Sequence, residues 1–175
     1  MLPLVMHSLP KTVLVTGGCG FIGSNFLNLL VPRFPEVKFV NLDALTYAGN
    51  PLNLAAIEDM PNYEFAHVDI RDAVRLNAAF DLYQPDWVFH FAAESHVDRS
   101  ITGPKTTVET NVNGTLNMLE ASRATWKDNL EGKVFHHVST DEVYGSLGKE
   151  GFFTEKTPYD PSSPYSASKA ASDTW

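Results

Sequence analysis

The sequence predicts an α/β fold of the doubly wound, Rossmann-like kind: a parallel sheet with helices on both faces. Three observations carry this. From residue 11 onward, short apolar runs alternate with segments of helical spacing. The former read as continuous apolar runs, as burial on both faces requires of a strand. A glycine-rich turn, Gly17-Gly18-Cys19-Gly20-Phe21-Ile22-Gly23, joins the first run to the first helical segment. Doubly wound folds that bind dinucleotides keep their phosphate-holding loop at that place.

Each element has its own reason. Residues 11–16 (KTVLVT) are rich in β-branched side chains and read as the first strand. A helix follows over 20–31 and stops near Pro32. Residues 37–42 make the second strand. A loop rich in Asn, Gly and Pro leads to a short helix at 52–57. The third strand is 63–68, and 71–82 is helical through Val74, Leu76, Ala79 and Phe80. The fourth strand is 86–91 (DWVFHF). Residues 104–126 read as one long helix, with Pro104 in the first turn, where proline is tolerated. The fifth strand is 133–138. A mostly polar loop over 139–163 precedes a helix opening at Pro164. A loop that long inside a domain is usually functional or disordered.

The chain has 175 residues, room for one domain. Its 43% hydrophobic and 19% charged residues are ordinary for a soluble globular protein. No run approaches the roughly 20 apolar residues of a membrane span. Residues 1–10 lack a basic start and a long apolar stretch, so they read as an N-terminal extension ahead of a domain at 11–175. A formal net charge of -8 argues against a nucleic-acid surface. The single Cys19 cannot form an internal disulfide, which fits the cytoplasm, and it reads as a small residue in a tight turn. Of the six histidines, His136 and His137 are adjacent on a strand and point to opposite faces. His90 is mid-strand, His7 lies in the extension, and no spacing suits a metal. At Trp175 the last helix shows no stop signal, and a sheet of this design has about two further strands. A chain truncated before its last strands and its substrate domain is expected.

The glycine turn fits both G-x-G-x-x-G and G-x-x-G-x-x-G. Gly17, Gly20 and Gly23 permit the tight turn and a close approach of backbone to a pyrophosphate, whose charge meets the helix N-terminus. Asp43, twenty residues after Gly23, ends the second strand. Its carboxylate can accept a ribose 2′-hydroxyl and would repel a 2′-phosphate, so NAD is expected over NADP. Asp69 can bond an adenine amine or cap the helix that follows it, and both readings stand. Ala92 and Ala93 are small enough to let a cofactor pass, or to form a packing seam. Tyr165 and Lys169 share a helix face at i and i+4. An ammonium there would stabilise a phenolate and lower the tyrosine pKa, making Tyr165 a base for an alcohol proton. Lys169 could also hold the nicotinamide ribose. Ser139-Thr140-Asp141-Glu142 follows the fifth strand. The threonine could orient a substrate alcohol and the two acids could divide acid and base work. A solvated acidic turn that caps a helix explains them equally well.

These residues together resemble the extended short-chain dehydrogenase/reductases, and within them the dTDP-glucose 4,6-dehydratases. The likeness runs from Lys11 to Trp175. Its marks are Asn41-Leu42-Asp43-Ala44-Leu45-Thr46-Tyr47-Ala48-Gly49-Asn50, Ala92-Ala93-Glu94-Ser95-His96-Val97-Asp98-Arg99-Ser100, Ser139 to Gly145, and Tyr165 to Lys169. Related epimerases share the glycine turn and Y-x-x-x-K but typically lack Thr-Asp-Glu. The resemblance implies a lyase that takes a nucleotide-activated glucose to a 4-keto-6-deoxy sugar. In it Tyr165 deprotonates the C4 hydroxyl, Thr140 bonds the C4 oxygen, Glu142 removes the C5 proton and Asp141 protonates the leaving C6 hydroxyl. It also implies NAD contacts at Phe21, Ile22, Asp43, Ala44, Leu45, Thr46, Asp69, Ile70, Phe91, Ala92, Ala93, Glu94, Ser95, Thr110, Tyr165 and Lys169. Ser95 and Thr140 would meet substrate. Cys19 stands where the family usually has Ala. The family implies a homodimer at full length, and a piece of this size is expected to bind NAD weakly and not turn over. Alternatives are a 4-epimerase or decarboxylase of the same fold, or a non-catalytic NAD-binding module. Such a module need not keep Tyr165, Lys169, Asp141 and Glu142, all present here.

Overall fold

Five strands form one parallel sheet in the order β3-β2-β1-β4-β5. They are β1 Thr12–Thr16, β2 Lys38–Asp43, β3 Tyr63–His67, β4 Trp87–His90 and β5 Val134–His137. The structure, a computed structural model, describes residues 9–127 and 129–175. Most of the expected N-terminal extension, with His7, lies outside the described residues.

Alternation along each strand builds two cores. Val13 and Val15 face Leu27 of helix α1 (Phe21–Leu30) and Val31, which caps it, together with Phe39 and Ile57. Leu14, Val40, Leu42 and Val88 point the other way, onto Leu76 and Phe80 of α2 (Ala73–Tyr83) and Met118 and Ala121 of α5 (Thr115–Trp126). Leu14 and Val15 are both fully buried, so β1 is the centre of the sheet. Each such side chain contributes roughly 1.5–3 kcal/mol on burial. The strand order reverses beside β1: Thr16 is level with Leu42 of β2 on one side and His90 of β4 on the other. In this topology ligands bind outside the carboxyl ends of the strands at that reversal.

The predicted strands all form, with one end moved by one residue in β1 and β3 and both ends moved by one in β2, β4 and β5. Four differences stand out. The short helix is a 3-10 turn at Pro51–Leu54. A helix over Val97–Thr102 (α3) was not expected. The predicted long helix is interrupted: α4 (Pro104–Val108) passes into a π-helical turn, Glu109–Gly114, before α5 begins. Helix α6, Pro164–Asp173, ends before the last residue, where Thr174 N–H bonds back to Ala171 O. Its start is fixed by a capping box between Ser163 and Ser166 with Pro164 in the first turn.

Candidate active site

The ends of β1, β2 and β4 open onto a cleft of about 410 Å³. The glycine turn forms its floor. Gly17 has φ of 70°, and a Cβ there would lie 2.8 Å from Ala92 N. A Cβ on Gly23 would lie 2.4 Å from Gly17 O. Both positions therefore need glycine, one for its backbone and one for close packing. Helix α1 has no side-chain cap and no acidic residue in its first turn. The N–H groups of Phe21, Ile22 and Gly23 have no acceptor within the helix. Phe21 and Ile22, 84% and 58% exposed, hold apolar surface in the cleft.

Asp43 is buried at the next strand end. Its Oδ2 accepts Cys19 N–H and its Oδ1 accepts Leu45 N–H, each at 2.8 Å. Each oxygen keeps a lone pair for a further donor. Leu45 adopts φ of 51°, and of the expected segment Asp43, Ala44 and Thr46 line the cleft while Leu45 does not. Asp69 and Ile70 line it too. Asp72, not Asp69, caps α2. Arg71 grips Asp69 with Nε at 3.0 Å from both oxygens and Nη2 at 2.6 Å from Oδ2. Those bonds hold the Asp69 carboxyl below its usual range. Arg71 was missed in the sequence, although it follows Asp69 by two residues in the same turn.

Phe91, Ala92, Ala93, Glu94, Ser95 and Thr110 form the opposite wall. His90 anchors it and is almost wholly buried. Thr115 Oγ1 donates to Asn111 O, so it accepts from His90 Nε2–H at 3.0 Å. His90 Nδ1 then accepts from Thr16 Oγ1 at 2.6 Å, and that oxygen receives Ala92 N–H. The Asn111 side chain accepts Glu94 N–H, donates to Glu94 O, and donates to Ser168 Oγ on α6. The wall, the π-helical turn and α6 are thus joined by polar side chains.

The predicted acid–base group lies beyond this wall. Thr140 accepts Glu142 N–H and caps a 3-10 turn, Asp141–Tyr144, whose two acids are exposed. Tyr165 is half-buried on α6, with its N–H bonded to Ser100 Oγ at 3.1 Å. Its phenol pKa is raised, not lowered as expected. Burial pushes it up, Glu142, Asp141 and Asp173 push it further, and only the Thr140 hydroxyl opposes them. Lys169 does not offset this because its side chain turns to β5. Nζ donates to Val138 O at 2.6 Å, with the residue 4% exposed. Burial lowers the Lys169 ammonium to about 8. None of these five residues lines the cleft, but Val138, to which Lys169 bonds, does.

Cys19 is buried in the turn, and burial next to Asp43 pushes its thiol up to about 11. That agrees with a packing role. Among the described residues no three His, Cys, Asp or Glu side chains gather as metal ligands, and no helix is long and apolar enough to cross a membrane.

A family model described as GDP-mannose 4,6 dehydratase matches residues 14–175. The chain is 58% identical over 165 residues to a probable dTDP-glucose 4,6-dehydratase of Sinorhizobium fredii, covering 92% of this chain and 47% of that protein. A solved dTDP-glucose 4,6-dehydratase from Streptomyces venezuelae, with NAD and a second ligand bound, superposes with a TM-score of 0.83 at 50% identity, covering 93% of this chain and 49% of that one. A UDP-glucose 4-epimerase from Thermus thermophilus in complex with NAD superposes with a TM-score of 0.80 at 34% identity, over 93% and 49%. The chain therefore spans about half the length of the curated relatives it matches.

Proposed function

Because this chain belongs to the family described as GDP-mannose 4,6 dehydratase, we propose that it holds the cofactor and the acid–base groups of an NAD-dependent lyase. The lyase converts dTDP-glucose to the 4-keto-6-deoxy sugar. One observation supports this most: the phenol of Tyr165 stands among Thr140, Asp141 and Glu142, beside a cleft suited to a dinucleotide. The uncapped start of α1 suits a pyrophosphate. The spare lone pairs of Asp43 suit a ribose diol, and its charge disfavours a 2′-phosphate. Bound NAD would supply an acceptor for the two electrons of a sugar C–H bond and return them within the cycle.

The chain's own residues do the rest. Tyr165 takes the proton of the C4 hydroxyl, and Thr140 bonds the C4 oxygen. Once C4 is a ketone, the C5 hydrogen is acidic and Glu142 removes it. Asp141 gives a proton to the C6 hydroxyl, which leaves as water. Lys169 holds the nicotinamide ribose, and Ser95 meets the sugar. The same reading puts the enzyme in the cytoplasm as a homodimer, paired through α4–α5 and α6. Light scattering on the intact enzyme tests the pairing.

The activity test is incubation with NAD and dTDP-glucose. A 4-keto-6-deoxy product, one water lighter, is expected. Formation of dTDP-galactose alone would identify a 4-epimerase and overturn the reading. The 175-residue chain by itself is expected to bind NAD weakly without turnover.

A further inference from the structure

Asp173 has no role in the reaction described above, yet four segments meet at its carboxylate. Its side chain is 9% exposed. Ser139, immediately before Thr140, donates its hydroxyl to Oδ2. Tyr159, from the long loop, donates to the same oxygen at 3.2 Å. His137 on β5 brings Nε2 to 3.2 Å from Oδ1. Ser172 Oγ donates to Lys169 O and so accepts from His137 Nε2, which places the imidazole proton on that nitrogen. One helical turn back stands Lys169, with no carboxylate within 4.0 Å among the described residues. Asp173 is the negative group whose field acts on it.

We propose that Asp173 is a positioning residue: its carboxylate ties the turn of Thr140, Asp141 and Glu142 to the helix of Tyr165 and Lys169, and serves Lys169 as counter-charge. The proposal takes from the dehydratase reading only what the tied groups do. The tie itself is a property of this chain. A buried ammonium has lost most of its hydration, and a carboxylate beyond hydrogen-bond reach still stabilises it through a medium of low dielectric. Burial pushes the Asp173 carboxyl up, but the nearby His137 imidazole and the bond from Ser139 outweigh this and hold it below its usual range. It is therefore ionised at neutral pH. The other titratable groups facing this cluster are His90 from β4, His137 from β5, Tyr159 from the loop and Tyr165 on α6.

The test observes the 175-residue chain by NMR, with isotope-labelled lysine and backbone amides. In Asp173→Asn, which keeps the shape and removes the charge, the Lys169 midpoint is expected to move down by about one pH unit. Ser139→Ala and Asp173→Asn should each shift the amide signals of Thr140, Asp141 and Glu142. The double variant should shift them no further than the larger single change. An unmoved Lys169 midpoint, or shifts that add in the double variant, would overturn the proposal. Should Asp173→Asn not fold, Asp173→Glu decides. It keeps the charge but lengthens the arm, so the turn signals move while the Lys169 midpoint stays. The reverse pattern counts against the tie. A wild-type enzyme without dehydratase turnover would remove the proposed function and leave these readouts intact.

Discussion

Replacing His90 with Asn should flatten the pH dependence of stability between about pH 5 and 7. His90 is 1% exposed, between Thr16 and Thr115. Burial, helped by the neighbouring His137 and Lys169, holds its pKa well below 6.5. The folded state keeps the ring neutral, while the unfolded chain takes up a proton below about 6.5. Stability is therefore complete above that value and lost as pH falls. The loss is RT ln(1 + 10^(6.5 − pH)), about 1.4 kcal/mol at pH 5.5 and about 2 kcal/mol at pH 5. Lys169, near 8, stays protonated throughout that window and adds no slope. Asn keeps an acceptor for Thr16 but does not reach Thr115, so the variant starts about 2–3 kcal/mol less stable at neutral pH. Urea unfolding, followed by circular dichroism at several pH values, measures both curves. The gap should narrow by about 2 kcal/mol on going down to pH 5. Parallel curves would refute the argument that this imidazole is held neutral.

Three further outcomes follow from the site. Asp43→Asn offers one acceptor where two backbone N–H groups need one each. It should cost about 1–3 kcal/mol in urea unfolding and narrow the preference for NAD over NADP in calorimetric titration; unchanged selectivity would count against Asp43 as the ribose reader. Cys19, with its thiol near 11, is about one-thousandth thiolate at pH 8, so a thiol reagent should label it only as fast as the chain unfolds; burst labelling of the native chain would contradict the packing role. The Arg99 guanidinium lies 3.8 Å above the Tyr47 ring, joining the loop after β2 to α3. Arg99→Ala should weaken NAD binding about two- to fivefold, with the change in dissociation rate by stopped flow; an unaltered off-rate would show that this contact spans nothing.

What could be read from the sequence was local. The glycine turn and Asp43 occupy fixed places in a strand–turn–helix pattern, and the short apolar runs of β1 to β5 recur between segments of helical spacing. What escaped depends on partners far along the chain. Helix α3 is short and polar, and its Ser100 earns its burial by holding the N–H of Tyr165, 65 residues away. Leu45 is left-handed, and its N–H is held by the side chain of Asp43. Tyr165 and Lys169 were placed on one helix by spacing alone, but spacing does not say that the ammonium turns to Val138 while the phenol faces acids. The π-helical turn has the same origin, since Asn111 is held by Glu94 and Ser168.

That turn also sets the phase of everything after it. The wide turn over Glu109–Gly114 lets Thr110 face the cleft while Met118 and Ala121 still point into the core, 0% and 1% exposed. Each residue of an α-helix advances about 100°. Winding these six residues as ordinary α-helix would instead turn α5 by about that angle, carrying Met118 out of the core and Asn117 away from the Ile70 carbonyl. The wide turn therefore holds one residue more than an α-turn would and still delivers the twelve residues of α5 in phase with the core.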